Sequence, residues 1–376
     1  MSGFIENINL IPNPCFVLDE ALFEENMKLL QDLEKQSGVN VLCALKGFSM
    51  WEVFPYMMKY INGGTASSLN EAKLVNDEMG VKAHSCFVVY SQEEFSETQD
   101  LSSHITFNSV NQFERFRGEL RKDVNYALRI NPEFSNVEFK QYNPCAKGSR
   151  FGVTLDDLPG KLPDEITGLH FHTLCESGAE DFQNVLQVIE SKFGDVLNQI
   201  KWVNFGGGHH ITKKGYNIEL LSILLKGIRE KYDLEIYIEP GEAIGYNAGF
   251  LTAKVEDIVE NKSEKTAVLN VSFAAHMPDC LEMPYKPSVI GESEKGCCFT
   301  LGGNTCMSGD FVRGFSFEKE LEIGQTIVFN DMAHYTFVKT NFFNGVKHPS
   351  LGLLTKKNDF ILLKQFGYKD FKYRLS

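Results

Sequence analysis

The sequence predicts an α/β protein made of a (β/α)8, TIM-like barrel over residues 19–247 and a mostly antiparallel C-terminal β-domain over residues 248–376, with residues 1–18 expected to join the second. Three observations predict it. Eight short β-rich runs recur, each followed by a stretch of helical periodicity, which points to parallel βα units. The character then changes at about residue 250 to strand-like runs separated by turns. Finally, 376 residues with 43% hydrophobic content are enough to bury two cores.

The eight barrel runs, in order, are VLCALK (41–46), GGTASS (63–68), CFVVY (86–90), ITFNS (105–109), NYALRI (125–130), GLHFHT (168–173), WVNFGG (202–207) and IYIEPG (236–241). Between them, SLNEAKLVNDEMG, VNQFERFRGELRK and EDFQNVLQVIESKFG repeat apolar residues every three or four positions, as amphipathic helices do. A doubly wound open sheet shares this alternation. The second domain is expected to contain the strands LTAKVEDIV, TAVLNVS, CCFTLGG, QTIVFND, HYTFV and DFILLKQF.

Composition excludes several function classes. The net charge of −13 with no basic cluster argues against nucleic acid and anionic membranes as partners. No apolar stretch reaches the length of a membrane span, and MSGFIENINLIPNPC lacks the basic and apolar regions of a signal peptide, so a cytoplasmic protein is expected. The nine cysteines are odd in number and include no CxxC pair, which predicts reduced thiols.

In a barrel of this kind, chemistry belongs at the C-terminal ends of the strands. The residues there are Lys46, Ser67, Asn108, Arg129, His172, Gly206 to Gly208 and Glu239. A lysine ending a buried strand loses solvation, so it either has a task or reaches to the surface. Three glycines after an apolar strand expose backbone N–H groups that can surround a phosphate, or simply make a tight turn. Arg129 can hold an anion or form a structural ion pair. His170 and His172 share one strand face in an HxH pattern that also occurs in metal-dependent hydrolases. The pattern here lies on the sixth strand with no further ligand set, so no metal is expected. Pro240 and Gly241 end a strand abruptly between two carboxylates, Glu239 and Glu242.

With these residues assembled, the chain resembles the fold-type III pyridoxal-phosphate decarboxylases, the group of ornithine, diaminopimelate and arginine decarboxylases related to alanine racemase. The motifs that carry the resemblance follow one order: CALKGF, GGTASSLNEA, LRINP, SRFGV, FHTLCESG, GGGHH, IEPGEA, GGNTCMSGD and AHYTFVKTNFFNG. The resemblance implies an alanine racemase-like fold and bound pyridoxal 5'-phosphate. By it, Lys46 is the lysine that binds the cofactor aldehyde, and His172 stacks on its ring. Arg129 lies near the phenolic oxygen, and Gly206, Gly207, Gly208, Gly241 and Tyr335 serve the phosphate. Glu239 pairs with the ring nitrogen, where a carboxylate favours the protonated form.

The resemblance further implies a head-to-tail homodimer in which GGNTCMSGD brings Cys306 as a proton donor and Asp310 as a substrate-binding carboxylate. Within that group the chain resembles the carboxynorspermidine decarboxylases, so the expected substrate is a polyamine carboxylate, carboxynorspermidine or carboxyspermidine. Diaminopimelate, ornithine or arginine as substrate, or a non-catalytic cofactor-binding regulator, are the alternatives. Glu242 departs from relatives that act on amino acids, which place Arg there against the phosphate. A carboxylate at 242 suits a cationic ligand, and AAHMPDCLEMPY adds Asp279 and Glu282 for separated amines. Each charge-assisted hydrogen bond to such an amine contributes about 1.5–3 kcal/mol.

Overall fold

A computed structural model describes residues 8–137 and 143–376; residues 1–7 of the expected joining segment lie outside that range. The chain divides into two compact units, one of residues 26–244 and one combining residues 1–25 with 245–376.

The first strand, β1 (Cys15–Asp19), belongs to the second of these. The first unit holds β2 (Asn40–Ala44), β3 (Gly63–Ala66), β4 (Ala83–Ser85), β5 (Ser102–Phe107), β6 (Asn125–Ile130), β7 (Ile166–Phe171), β8 (Trp202–Asn204) and β9 (Glu235–Ile238). They form a closed, all-parallel barrel, sealed by β2 against β9 through Asn40↔Tyr237 and Val41↔Ile238. Closure removes the open edges that a doubly wound sheet would leave. Helices α1 (Leu69–Leu74), α2 (Phe95–Leu101), α3 (Val110–Phe116), α4 (Ala179–Leu197) and α5 (Ile218–Tyr232) lie between the strands. Both α1 and α3 begin on a serine that accepts the N–H three residues on, Ser68 from Glu71 and Ser109 from Gln112. The Glu71 and Gln112 side chains reach back to the N–H groups of Ser67 and Asn108. This reciprocal capping is written in the sequence as S-x-x-E and S-x-x-Q.

The barrel interior is filled by side chains, among them the buried cluster Leu42, Ala127, Trp202 and Tyr237. The His84 and His104 rings stack beside it at 3.9 Å. Gly168 makes room for this filling, because a Cβ there would lie 2.1 Å from the Trp202 ring.

One expected barrel strand is corrected. CFVVY is not a strand; β4 ends at Ser85, and Val88 and Val89 are exposed. The apolar run is a corner pinned by buried Tyr90, whose hydroxyl donates to the carbonyls of Ser85 and Thr106.

The second unit is one sheet in the order β13-β12-β11-β10-β1-β15-β16, with β14 paired to β10. Its strands after β1 are β10 (Gly249–Asn261), β11 (Glu264–Leu269), β12 (Glu292–Gly302), β13 (Phe311–Phe317), β14 (Thr326–Asn330), β15 (Ser350–Leu354) and β16 (Phe360–Lys364). Most pairs are antiparallel; β1 with β15 and β11 with β12 are parallel. The core gathers Phe16, Leu251, Phe273, Phe299, Phe315 and Phe329. HYTFV is corrected from strand to helix: Tyr335–Val338 is a helical turn in which the N–H groups of Phe337 and Val338 donate to the His334 carbonyl. Among the described residues no helix is long and apolar enough to cross a membrane.

Candidate active site

The barrel unit brings Lys46, His172, the glycine triplet and Glu239 to one end of the strands. Lys46 follows β2 in a tight turn closed by Gly47 N–H on the Ala44 carbonyl. That turn rests on the corner after β9. The Ala44 N–H donates to the Pro240 carbonyl at 3.0 Å, and a Cβ on Gly47 would meet Gly241 Cα at 2.8 Å. Glycine is required at 47 because two backbones pass in contact, and a Cβ at 241 would be tight, 3.1 Å from the Ala44 carbonyl oxygen.

Lys46 Nζ lies 3.5 Å from His172 Nε2. Burial depresses the lysine's pKa; Glu239 opposes this and the Arg129 charge reinforces it. His172 is held well below the usual imidazole range by burial and by the charges of Lys46 and Arg129, so the ring is neutral. Its Nδ1 accepts the Gly207 N–H at 3.0 Å, which assigns the ring proton to Nε2, facing Lys46. A neutral Lys46 amine can accept that proton's hydrogen bond, and a neutral amine is the nucleophilic form.

Glu239 is buried at the end of β9. Asn204 Nδ2 donates to its Oε1 at 2.7 Å, and His170 Nε2 lies 3.4 Å from Oε2. Burial alone would raise this carboxyl, but His170, Lys46 and Asn204 outweigh it and hold Glu239 below the usual range. Burial also opposes charge on His170, yet Cys86 and Glu239 raise it to about 9. The carboxylate is therefore ionised in a buried place, where an unpaired charge would be costly.

The glycine triplet threads between two strand ends. A Cβ on Gly206 would lie 2.5 Å from the Phe171 carbonyl oxygen, on Gly207 2.4 Å from that of Glu239, and on Gly208 2.1 Å from that of Leu174. The expected use of all three N–H groups is narrowed by the geometry. Gly206 donates to Asn204 Oδ1 at 2.8 Å and Gly207 to His172, whereas among the described residues no side chain accepts from Gly208. Arg129, ending β6, stacks its guanidinium 4.3 Å over the Phe151 ring. Among the described residues no carboxylate pairs with it.

The HxH pair divides its labour. His170 faces Cys86 and Glu239, whereas His172 faces Gly207 and Lys46. Glu242, first residue of the short helix Glu242–Gly245, meets His210 Nε2 at 3.4 Å. Glu176 joins them, with one ligand atom from each residue lying within 4.8 Å of the others. Neither Glu176 nor His210 was singled out as a partner of Glu242. Asn204 and Cys86 were also missed, although Asn204 lies inside the predicted strand run WVNFGG, two residues before the glycine triplet.

The remaining predicted residues lie in the second unit. Two of them have local uses invisible in sequence. Asp279 is buried and accepts hydrogen bonds from the Tyr285 hydroxyl at 2.8 Å and the Thr336 hydroxyl at 2.7 Å. Asp310 is buried as well, accepting the Ala274 N–H on one oxygen and the Thr305 N–H and hydroxyl on the other. Glu282 pairs with Lys339. Cys306 is exposed, its N–H bonded to Asn344 Oδ1, and Tyr335 opens the helical turn that corrected HYTFV.

These residues fit pyridoxal phosphate on the structure's own terms: a depressed lysine amine, a neutral imidazole beside it, a buried ionised carboxylate, a cation stacked on an aromatic ring, and a glycine loop with no room for side chains. Comparison with known proteins agrees. Residues 15–333 match the family described as pyridoxal-dependent decarboxylase, C-terminal sheet domain. The chain is 42% identical to carboxyaminopropylagmatine decarboxylase of Synechocystis sp., with 100% of both chains covered. It is also 42% identical to carboxynorspermidine/carboxyspermidine decarboxylase of Campylobacter jejuni, covering 97% of this chain and 98% of the relative. The crystal structure of a Campylobacter jejuni carboxynorspermidine decarboxylase complexed with norspermidine superposes with a TM-score of 0.91 at 40% identity, covering 97% of this chain and 100% of the other. The chain belongs to the pyridoxal-dependent decarboxylases.

Proposed function

We propose that the protein binds pyridoxal 5'-phosphate and decarboxylates carboxynorspermidine and carboxyspermidine, releasing norspermidine and spermidine with CO2. The observation that carries the chemistry is the contact of the depressed Lys46 amine with neutral His172, in a pocket whose carboxylate, Glu239, stays ionised. When bound, the cofactor supplies a protonated pyridine ring that accepts electron density as the Cα–carboxylate bond breaks.

The chain's own residues divide the remaining tasks. Lys46 would hold the cofactor's aldehyde carbon until a substrate amine replaces it. His172 would cover one ring face, and Glu239 would keep the ring nitrogen protonated. Arg129 would sit by the phenolic oxygen, with Gly208, Gly241 and Tyr335 serving the phosphate. Cys306 would deliver the proton that Cα gains when CO2 leaves, supplied from the partner of a head-to-tail homodimer. The cytoplasm is the expected compartment.

Substrate choice rests on likeness and on charge. Glu242 carries a carboxylate where an arginine would serve phosphate, and its neighbours Glu176 and His210 leave an acidic corner suited to an ammonium group. The local uses of Asp279 and Asp310 leave Glu242 as the favoured contact for a distal amine. Carboxynorspermidine and carboxyspermidine differ by one methylene, worth about 1–3 kcal/mol in a fitted pocket. A second reading, carboxyaminopropylagmatine as substrate, draws on the full-length match to the Synechocystis enzyme. Its guanidino end calls for a bidentate carboxylate, where an amine needs only one oxygen.

A CO2-release assay on cofactor-loaded protein tests all three substrates. Turnover of the two triamine acids at least about tenfold above the guanidino compound, as a carboxylate pocket built for amines predicts, upholds the first reading. The reverse order installs the second. A yellow protein that bleaches with borohydride yet releases CO2 from none of them overturns both.

A further inference from the structure

Three buried or half-buried side chains from three separated stretches of the barrel make a continuous polar row. Cys86 follows β4, His170 lies on β7 and Glu239 follows β9. Cys86 Sγ is 3.8 Å from His170 Nδ1, and His170 Nε2 is 3.4 Å from Glu239 Oε2. The far oxygen of Glu239 is fixed by Asn204, itself held by the Gly206 N–H.

We propose that Cys86 and His170 are positioning residues that keep Glu239 ionised and aimed at the ring nitrogen of the bound cofactor. The proposal rests on the pyridoxal-dependent reading above, and is independent of which substrate is used.

Counting protons supports it. An ionised carboxylate only accepts, so the contact with Glu239 requires a proton on His170 Nε2. His170 Nδ1 then has two ways to meet Cys86: it accepts from the thiol, or, as imidazolium, it donates to the thiolate. One proton passing between Sγ and Nδ1 interconverts these arrangements, and neither disturbs the Nε2–H bond to Glu239. A serine at 86 would lose the second arrangement, because an ordinary thiol ionises at about 8.5 and an aliphatic hydroxyl does not ionise in this range. The surroundings favour the charged arrangement. Burial opposes a Cys86 thiolate, but His170 and Arg129 together outweigh burial and the opposing Glu239 charge, and draw the thiol below its ordinary value. Lys46 also faces both Cys86 and Glu239. Tyr90 lies beside Cys86, and burial raises its pKa well above the usual value, so it stays protonated. His84 and His172 face His170, and both are held neutral.

Heteronuclear NMR of the imidazole nitrogens in full-length protein, with and without cofactor, tests the row, His170→Gln identifying the resonance. In the unmodified sequence both His170 nitrogens should stay protonated at about pH 8; in Cys86→Ser only Nε2 should. With cofactor and substrate, His170→Phe should lower kcat by about tenfold, the size of one charge-assisted hydrogen bond, while KM changes less, and should alter the absorbance of the bound cofactor. His170→Gln, which keeps an N–H donor, should recover most of the loss. The proposal is overturned if His170 titrates near its ordinary value of about 6.5 whether or not Cys86 is present, or if His170→Phe keeps the native kcat and spectrum. The NMR result needs no turnover, so a wrong substrate assignment leaves it readable.

Discussion

Both units bury carboxylates, and they use them in opposite ways. In the barrel unit Glu239 is bound by an imidazole and an amide, with a lysine close enough to shift its ionisation. The imidazole and the lysine amine can each gain or lose a proton, and so change the charge around the carboxylate. In the sheet unit Asp279 accepts from two hydroxyls and Asp310 from backbone N–H groups and a hydroxyl, donors that hold a loop in place. A buried acid is thus a weak sign of function by itself. The chemistry of its partners decides whether it tunes a reaction or ties down a chain.

The comparison can be broken at either end. The largest expected effect is in the barrel: Lys46→Ala should lower CO2 release by on the order of 10³-fold or more while leaving the melting temperature near native, since a nucleophile and not a packing group is removed. Native-rate decarboxylation by this variant would dismiss the mechanism. Next, Asp279→Ala should destabilise the fold by about 1–3 kcal/mol, because the hydroxyls of Tyr285 and Thr336 lose a buried acceptor. Urea unfolding measures this, and a variant of native stability with a raised KM would move Asp279 into substrate binding.

Glu242→Ala should raise KM by about tenfold, one lost charge-assisted contact to an ammonium group, while cofactor affinity changes little. Equilibrium dialysis of the cofactor alongside the kinetics separates the two, and loss of cofactor at unchanged KM would reverse the assignment. The smallest effect is a pH slope. His170 is raised from an ordinary 6.5 to about 9 in the folded chain, so its stabilisation is complete below 6.5 and is lost as pH rises through 9. The difference in melting temperature between native protein and His170→Gln should therefore shrink over that interval, and a constant difference would mean that His170 carries no such charge.

Much of this was legible in the sequence because period and position carry it. Residues at the ends of barrel strands can be read by alternation alone, which is how Lys46, Arg129, His172 and Glu239 were found. Their partners could not be read that way. Cys86 and Glu239 each meet His170 across long stretches of chain, 84 and 69 residues, so only the closed barrel brings them together. The two misread runs share one cause: CFVVY and HYTFV are apolar and β-branched, but at four or five residues such a run fits a pinned corner or a helical turn equally well. Strand β13 was overlooked for the opposite reason, since Arg313 and Gly314 interrupt its apolar alternation, and Gly314 takes φ +87°.

The backbone contact between Gly47 and Gly241 has a further implication. Lys46 directly precedes Gly47 and Glu239 lies two residues before Gly241, so the spacing of the amine and the carboxylate is gauged by how closely these two turns approach. Selection can reshape the acidic corner around Glu242 to accept a longer, shorter or guanidino-tipped chain without touching that gauge. A side chain at Gly47 would press the two turns apart and shift the reactive pair as a unit. The protein is thus free to drift in what it accepts and tightly bound in how it reacts.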